Sequence, residues 1–282
     1  MTTPWNWLLH RVFLRGVKIE PRADWQTDLA SLGTVEKVRV QRAGGTLCAV
    51  RLATRAASPE KVAIFAHPLT RRGKYFFARE HRLAPYLGAG YTIVLFDFNG
   101  FGESDTIDFH FYRDAAAVIE RFANGPGITL VLHGLSFGAY HVMGALEHLP
   151  ARARVILENI PRSEVDYLRH SPILAGAIRL LVTTGSASFV KMSAGRALSK
   201  LSRQDITLSV FLCEQDSITP PDETRDLLSH FKGDVSWFSF PGADHLEAVD
   251  SDPERYSAIL RTLIGQEPQA LRRHELRDTA SD

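Results

Sequence analysis

The sequence predicts a doubly wound α/β fold. Three observations predict it: a hairpin pattern near the start, short apolar runs alternating with helical stretches as far as residue 264, and the Val, Ile and Leu content of those runs. Residues 35–40 alternate apolar and polar, Gly44-Gly45 supplies a turn, and residues 47–52 alternate again, which is a β-hairpin. Runs at 62–66, 92–98 and 128–132 are apolar on both faces, as strands of a parallel sheet covered by helices must be. Further runs follow at 155–157, 209–213 and 235–240. Helices are expected at 74–87, 111–122, 139–148, 222–231 and 253–264; Pro221 and Pro253 suit a helix entry.

Residues 161–206 interrupt this rhythm with Pro172, an apolar stretch at 173–182 and a Gly/Ser/Thr-rich piece at 183–188. That is too long for an ordinary connection, so a helical cap inserted over the ligand end of the sheet is expected. The 282 residues are expected to form one domain, preceded by an arm at 1–30 and followed by a polar tail at 266–282. Within the arm, Trp5, Leu8, Leu9 and Val12 fall at helical spacing. Such a stripe either packs on the body or contacts a partner or membrane.

Composition excludes some functions. Thirty-three basic residues against 32 acidic ones leave a net charge of +1, without the concentrated basic face that nucleic acid requires. No apolar stretch reaches membrane-spanning length, and the N-terminus lacks the ordered parts of a secretory signal. A cytoplasmic protein is expected. Cys48 and Cys213, the only two cysteines, have no motif spacing and read as small buried hydrophobes. No His, Cys and Asp cluster has metal-ligand spacing, and no cofactor is expected.

The sharpest chemical signal is Gly134-Leu135-Ser136-Phe137-Gly138, between an apolar strand and a helical stretch. An abrupt turn there lifts a serine hydroxyl above the strand ends, and flanking glycines remove side chains that would clash with strand and helix. A serine needs a base, and the expected chain order is serine, then acid, then histidine. His245, in the loop after the last strand, fits; His67 and His133 precede the serine, and His141 and His148 precede any acid candidate. Asp216, after the run 209–213 and before a turn, is the preferred acid, with Glu158 at the end of the preceding strand as its rival. Asp244 is expected to be a loop hydrogen-bonder. The oxyanion is expected on the backbone N–H of Phe137 and of Leu69, since Pro68 has none, with Thr70 as a second donor candidate. His67 either holds that loop through its ring nitrogens or is incidental.

Together the stretch Asp97-Phe98-Asn99-Gly100-Phe101-Gly102-Glu103-Ser104-Asp105, the serine elbow, Asp216 and His245 resemble the α/β-hydrolase superfamily, from about Val35 to Ile264. The resemblance implies an eight-stranded, mostly parallel sheet, a cap between strands six and seven, and hydrolysis through an acyl-enzyme. Two departures stand out: His67-Pro68 where many members have His-Gly, and Asn99 where many have Arg.

Ester or thioester hydrolysis is the activity expected. An acyltransferase with the same triad and a non-catalytic binding protein on this fold are the alternatives. Substrate contacts are expected from Thr70, Phe76 and Phe101; Phe77, Phe98 and Phe137 lie nearby, and all these rings alternatively pack the cap. Arg71 and Arg72 either bind an acidic group such as that of a coenzyme A or carrier-protein thioester, or are solvated. Nothing in the sequence supports a carrier protein or a homodimer as partner.

Overall fold

Strands whose two faces are both apolar must be covered on both sides, and the chain does this. The structure, a computed structural model, describes residues 22–79, 81–108, 110–150, 153–163, 198 and 206–265. Its eight strands are β1 (Thr34–Arg42), β2 (Gly45–Ala53), β3 (Lys61–Ala66), β4 (Thr92–Phe96), β5 (Thr129–Leu135), β6 (Ala153–Glu158), β7 (Leu208–Cys213) and β8 (Val235–Phe240). They form one sheet in the order β1-β2-β4-β3-β5-β6-β7-β8. The β1–β2 and β2–β4 pairs are antiparallel and all others parallel. The expected hairpin is present, with Arg42 opposite Gly45 across a two-residue turn in which Gly44 takes φ +97°.

The helices are α1 (Ala23–Ala30), α2 (Ala84–Gly88), α3 (Phe111–Ala123), α4 (Phe137–Met143), α5 (Pro221–Leu228), α6 (Ala248–Ser251) and α7 (Pro253–Gly265). Successive strand residues point to opposite faces. Ile64, Val94, Phe96, Leu130 and Leu132 meet α3, α4 and α5 through Ala115, Tyr140 and Leu227. Ala63, Phe65, Ile93, Leu95 and Val131 meet α1, α2 and α7 through Leu29, Tyr86 and Leu260.

Two expected helices are broken. Residues 73–88 form two 3₁₀ pieces, Gly73–Arg79 and His81–Leu83, before α2 begins at Ala84. The reasons are local: Lys74 is held at both its backbone N–H and its ammonium by Asp97, and Pro85 has no N–H to give a continuous helix. The helix expected at 139–148 is likewise α4 followed by a 3₁₀ turn at Leu146–His148. The arm and tail as far as residue 21 and beyond 265 lie outside the described residues, as does the expected cap apart from 161–163, 198 and 206.

The topology itself marks a site. From β3 the chain moves outward to β4, then crosses back to lay β5 on the other side of β3. At such a reversal the loops leaving the two central strands part, and a crevice opens beyond their carboxyl ends. The loops after β3 and β5 are those that carry Leu69 and Ser136.

Candidate active site

Ser136 follows β5 directly and has φ +50° and ψ −114°, a conformation that costs a serine about 1–3 kcal/mol. It is held from both sides. Its N–H donates to the Glu158 carbonyl at 2.8 Å, extending the β5–β6 ladder, and its carbonyl accepts from Tyr140 N–H at 3.0 Å, the first bond of α4. Close approach explains the flanking glycines: a Cβ on Gly138 would lie 2.2 Å from the Ala66 carbonyl oxygen, and one on Gly134 2.7 Å from Ala139 Cα. The elbow is thus wedged against the end of β3.

Ser136 and His245 come from strands three places apart, roughly 14 Å at the usual strand spacing. The loop after β8 closes this gap because it is zipped to the loop after β7. Beyond the last pair, Cys213 with Phe240, Glu214 N–H donates to the Phe240 carbonyl at 3.1 Å and Gln215 N–H to the Ala243 carbonyl at 2.9 Å. The imidazole is delivered with Nε2 3.0 Å from Ser136 Oγ and Nδ1 2.8 Å from Asp216 Oδ2. A carboxylate only accepts, so Nδ1 carries the proton and Nε2 faces the hydroxyl as an acceptor. Asp244 bonds within the loop, accepting from His245 N–H at 2.7 Å.

Asp216 is held as an anion. Oδ1 accepts the N–H groups of Ile218 (2.8 Å) and Thr219 (2.7 Å); Oδ2 accepts Thr219 Oγ1 (2.5 Å) and Asn159 Nδ2 (2.5 Å) besides the imidazole. Burial alone would raise its pKa, but the hydrogen bonds and charge of His245 and the donors of Thr219 outweigh it and leave the carboxyl below its ordinary value. Neither Asn159 nor Thr219 stood out in the sequence; an asparagine closing a strand beside Glu158 was the only signal.

Glu158, the rival acid, is spent elsewhere. It is fully buried and accepts from Arg82 (3.2–3.4 Å), from His133 Nε2 (2.8 Å) and from Tyr256 Oη. Burial would raise its pKa; Arg82, His133 and Tyr256 reverse this and bring it to about 2. His133 Nδ1 in turn accepts from Tyr86 Oη at 2.9 Å, fixing the tautomer. Arg82 also donates to the Leu246 carbonyl at 2.6 Å, so this network steadies the loop that carries His245. His141 takes no part in the relay: both its ring nitrogens lack partners among Phe98, Phe111 and Phe137, and burial lowers its pKa to about 3.

The loop after β3 is tied down by two side chains. His67 donates through Nδ1 to the Pro68 carbonyl at 2.8 Å and accepts Phe98 N–H at Nε2, 3.3 Å away, so it holds the loop as one of its two readings expected. Asp97 accepts Lys74 N–H at 2.8 Å, Lys74 Nζ at 2.5 Å and Glu103 N–H at 3.0 Å. Gly73 and Gly102, at φ +52° and +43°, wrap the carboxylate so closely that a Cβ on either would fall 2.2–2.4 Å from it. Leu69 and Thr70 are half-buried in this loop, and Phe137 opens α4 opposite.

Asn99 does without a charge of its own. It donates twice to Asp114 (2.7 and 2.8 Å) and accepts Ile107 and Asp108 N–H, while Arg42 from the end of β1 supplies the cation opposite Asp114 at 2.9 Å. The aromatic residues are not brought together as one ring around the serine. Phe98, Phe101 and Phe137 are fully buried in a single cluster, with Phe101 5.5 Å from Phe137 and 5.0 Å from His67. Phe76 is half-buried on the opposite core, 5.4 Å from Phe77. Cys213 is buried, but its thiol donates to Asn159 Oδ1 at 3.4 Å, and Cys48 is half-buried beside Glu103; neither is merely a small hydrophobe. Among the described residues no three His, Cys, Asp or Glu side chains are grouped to hold a metal, and no helix is long and apolar enough to cross a membrane.

A serine raised on a strand-to-helix elbow at the switch point of a parallel sheet is the arrangement on which one class of α/β proteins is built, and this chain is of that class. Comparison narrows it: the model of the alpha/beta hydrolase family matches residues 63–259, and the chain belongs to that family. An esterase from Pyrococcus furiosus superposes with a TM-score of 0.67 at 15% identity, over 88% of this chain and 96% of that one. An esterase from Exiguobacterium antarcticum gives 0.61 at 16% identity, over 82% and 100%. A serine hydrolase without a lid from Xanthomonas campestris gives 0.53 at 20%, over 82% and 91%. At these identities the likeness is one of fold. No curated protein matches the sequence.

Proposed function

We propose that the protein is a serine hydrolase that cleaves a carboxylic ester or thioester through an acyl-enzyme on Ser136. The observation that carries this reading is the continuous relay from Ser136 Oγ through His245 to Asp216, with contacts of 3.0 and 2.8 Å. Ser136 Oγ attacks the substrate carbonyl while His245 Nε2 takes its proton, and Asp216 stabilises the imidazolium that forms. The oxyanion rests on the N–H groups of Phe137 and Leu69. His245 then protonates the leaving alcohol or thiol as the carbonyl re-forms. Water, activated by the same imidazole, attacks the acyl-enzyme and releases the acid.

Thr70, beside Leu69, is assigned to the substrate or as the second oxyanion donor. Phe101 is assigned to the site through its packing on Phe137, whereas Phe76 packs on Phe77 in the opposite core and no substrate contact is proposed for it. The esterases of similar fold support an ester substrate, and the two free thiols suit a cytoplasmic setting.

The test is a panel of p-nitrophenyl esters and acyl thioesters of graded chain length, with Ser136→Ala as the blank. Turnover of at least one series should fall by about a thousandfold or more in the blank. Equal rates for blank and wild type across the panel would overturn the proposal.

A further inference from the structure

The four strands β5, β6, β7 and β8 are neighbours, and Ser136, Asn159, Asp216 and His245 lie beyond their respective tips. Three of these make up the relay. Asn159 is also held in register with them, because its N–H donates to the Phe211 carbonyl at 3.2 Å and so extends the β6–β7 ladder past the pair Glu158 and Phe211.

We infer that Asn159 is a positioning residue for the carboxylate of Asp216. The inference rests on the acyl-enzyme reading above.

Three features of Asn159 support it. Its amide has one chemically consistent orientation: the Asp216 carboxylate can only accept, so Nδ2 faces it at 2.5 Å, and Oδ1 accepts the Cys213 thiol at 3.4 Å. Burial raises the Cys213 pKa to about 11, so the thiol keeps the proton that this orientation needs. Second, the contact falls on Oδ2, the oxygen that also receives His245 Nδ1. The imidazole therefore points at an atom located by Asn159 from one side and by Thr219 Oγ1 from the other. Third, Asn159 is 1% exposed at φ +50°, a conformation that glycine adopts at no cost, yet a side chain is present there and used.

The alternative is that asparagine serves only to tolerate the positive φ. Glycine satisfies that requirement equally, so Asn159→Gly separates the two. The decisive set is Asn159→Gly, Asp216→Asn and the two combined, each assayed for p-nitrophenyl ester turnover and for the rate at which a fluorophosphonate labels Ser136. If Asn159 positions the acid, Asn159→Gly lowers kcat and labelling rate about tenfold or more, the usual worth of a hydrogen bond to a charged group, with KM nearly unchanged. Added to Asp216→Asn, the same change should alter either rate by less than about twofold, because the carboxylate that Asn159 positions is already gone. An Asn159→Gly protein at wild-type kcat, or a further tenfold loss when it is added to Asp216→Asn, overturns the inference. The labelling distinguishes its failure from that of the parent reading: a wild-type protein that does not label defeats both, whereas a labelled wild type with an unaffected Asn159→Gly defeats this inference alone.

Discussion

Replacing Glu158 by Gln removes one of two buried carboxylates at neighbouring strand tips, and the consequences should be of the opposite kind from those of Asp216→Asn. Glu158 is enclosed by Arg82, His133 and Tyr256, with Arg82 and Glu158 at 1% and 0% exposure. Gln leaves a buried guanidinium without its counter-charge, which costs about 3–5 kcal/mol. With roughly 2–4 °C of Tm per kcal/mol for a domain approaching this size, melting should fall by roughly 6–20 °C. Arg82 still reaches the Leu246 carbonyl, so the His245 loop keeps one anchor, and kcat per active molecule should stay within about tenfold of wild type. Asp216→Asn should instead lower kcat by about four orders of magnitude, because the imidazolium loses its counter-charge and the tautomer its acceptor. The assay is thermal melting by circular dichroism alongside kcat normalised to sites titrated with a fluorophosphonate. The pH profile gives a second reading. The Glu158 carboxyl sits at about 2 when folded against an ordinary 4.5, so its contribution is complete above pH 4.5 and is lost as pH falls toward 2. Glu158→Gln should therefore lose part of its acid sensitivity in that window. A Glu158→Gln protein that melts with wild type yet has lost a thousandfold in kcat would make Glu158 the acid and refute the assignment.

Gly138→Ala places a methyl group 2.2 Å from the Ala66 carbonyl oxygen and 2.7 Å from that of His67, both backbone atoms that cannot step aside. It should cost about 2 kcal/mol or more and part the elbow from the loop that carries Leu69; unchanged melting and full ester turnover would show that the wedge is not needed. Asp114 is raised to about 7 by burial, despite the opposing charge of Arg42 and the hydrogen bonds from Asn99. Its folded pKa exceeds the ordinary 3.8, so the stability it contributes is complete below pH 3.8 and is lost as pH rises through 7. Asp114→Asn should flatten denaturant stability between pH 4 and 8, and an unaltered slope would count against that reading.

What the sequence made legible was whatever is written locally. Strand and helix alternate in hydrophobic period, and Gly134–Gly138 carries its own steric reason, so the sheet and the place of Ser136 could be read directly. Glu158 stayed a rival to Asp216 because both follow an apolar run; what divides them is the company of Arg82, His133 and Tyr256, which come from other parts of the chain. Asn159 escaped notice for the same reason, its partner lying 57 positions away. The helix expected at 74–87 failed because hydrophobic period records a buried face but not the pull of Asp97 on Lys74. Phe98, Phe101 and Phe137 were apolar residues on functional loops, and only packing reveals that their rings face one another.

Whether Ser136 is a nucleophile can be asked without knowing the substrate. Wild-type protein treated with a fluorophosphonate and analysed by intact mass and peptide mapping should carry a single adduct on Ser136, formed far more slowly when His245 is changed to Ala and absent from Ser136→Ala. No adduct, or an adduct on a residue other than Ser136, would contradict the relay of Ser136, His245 and Asp216 as the reacting centre.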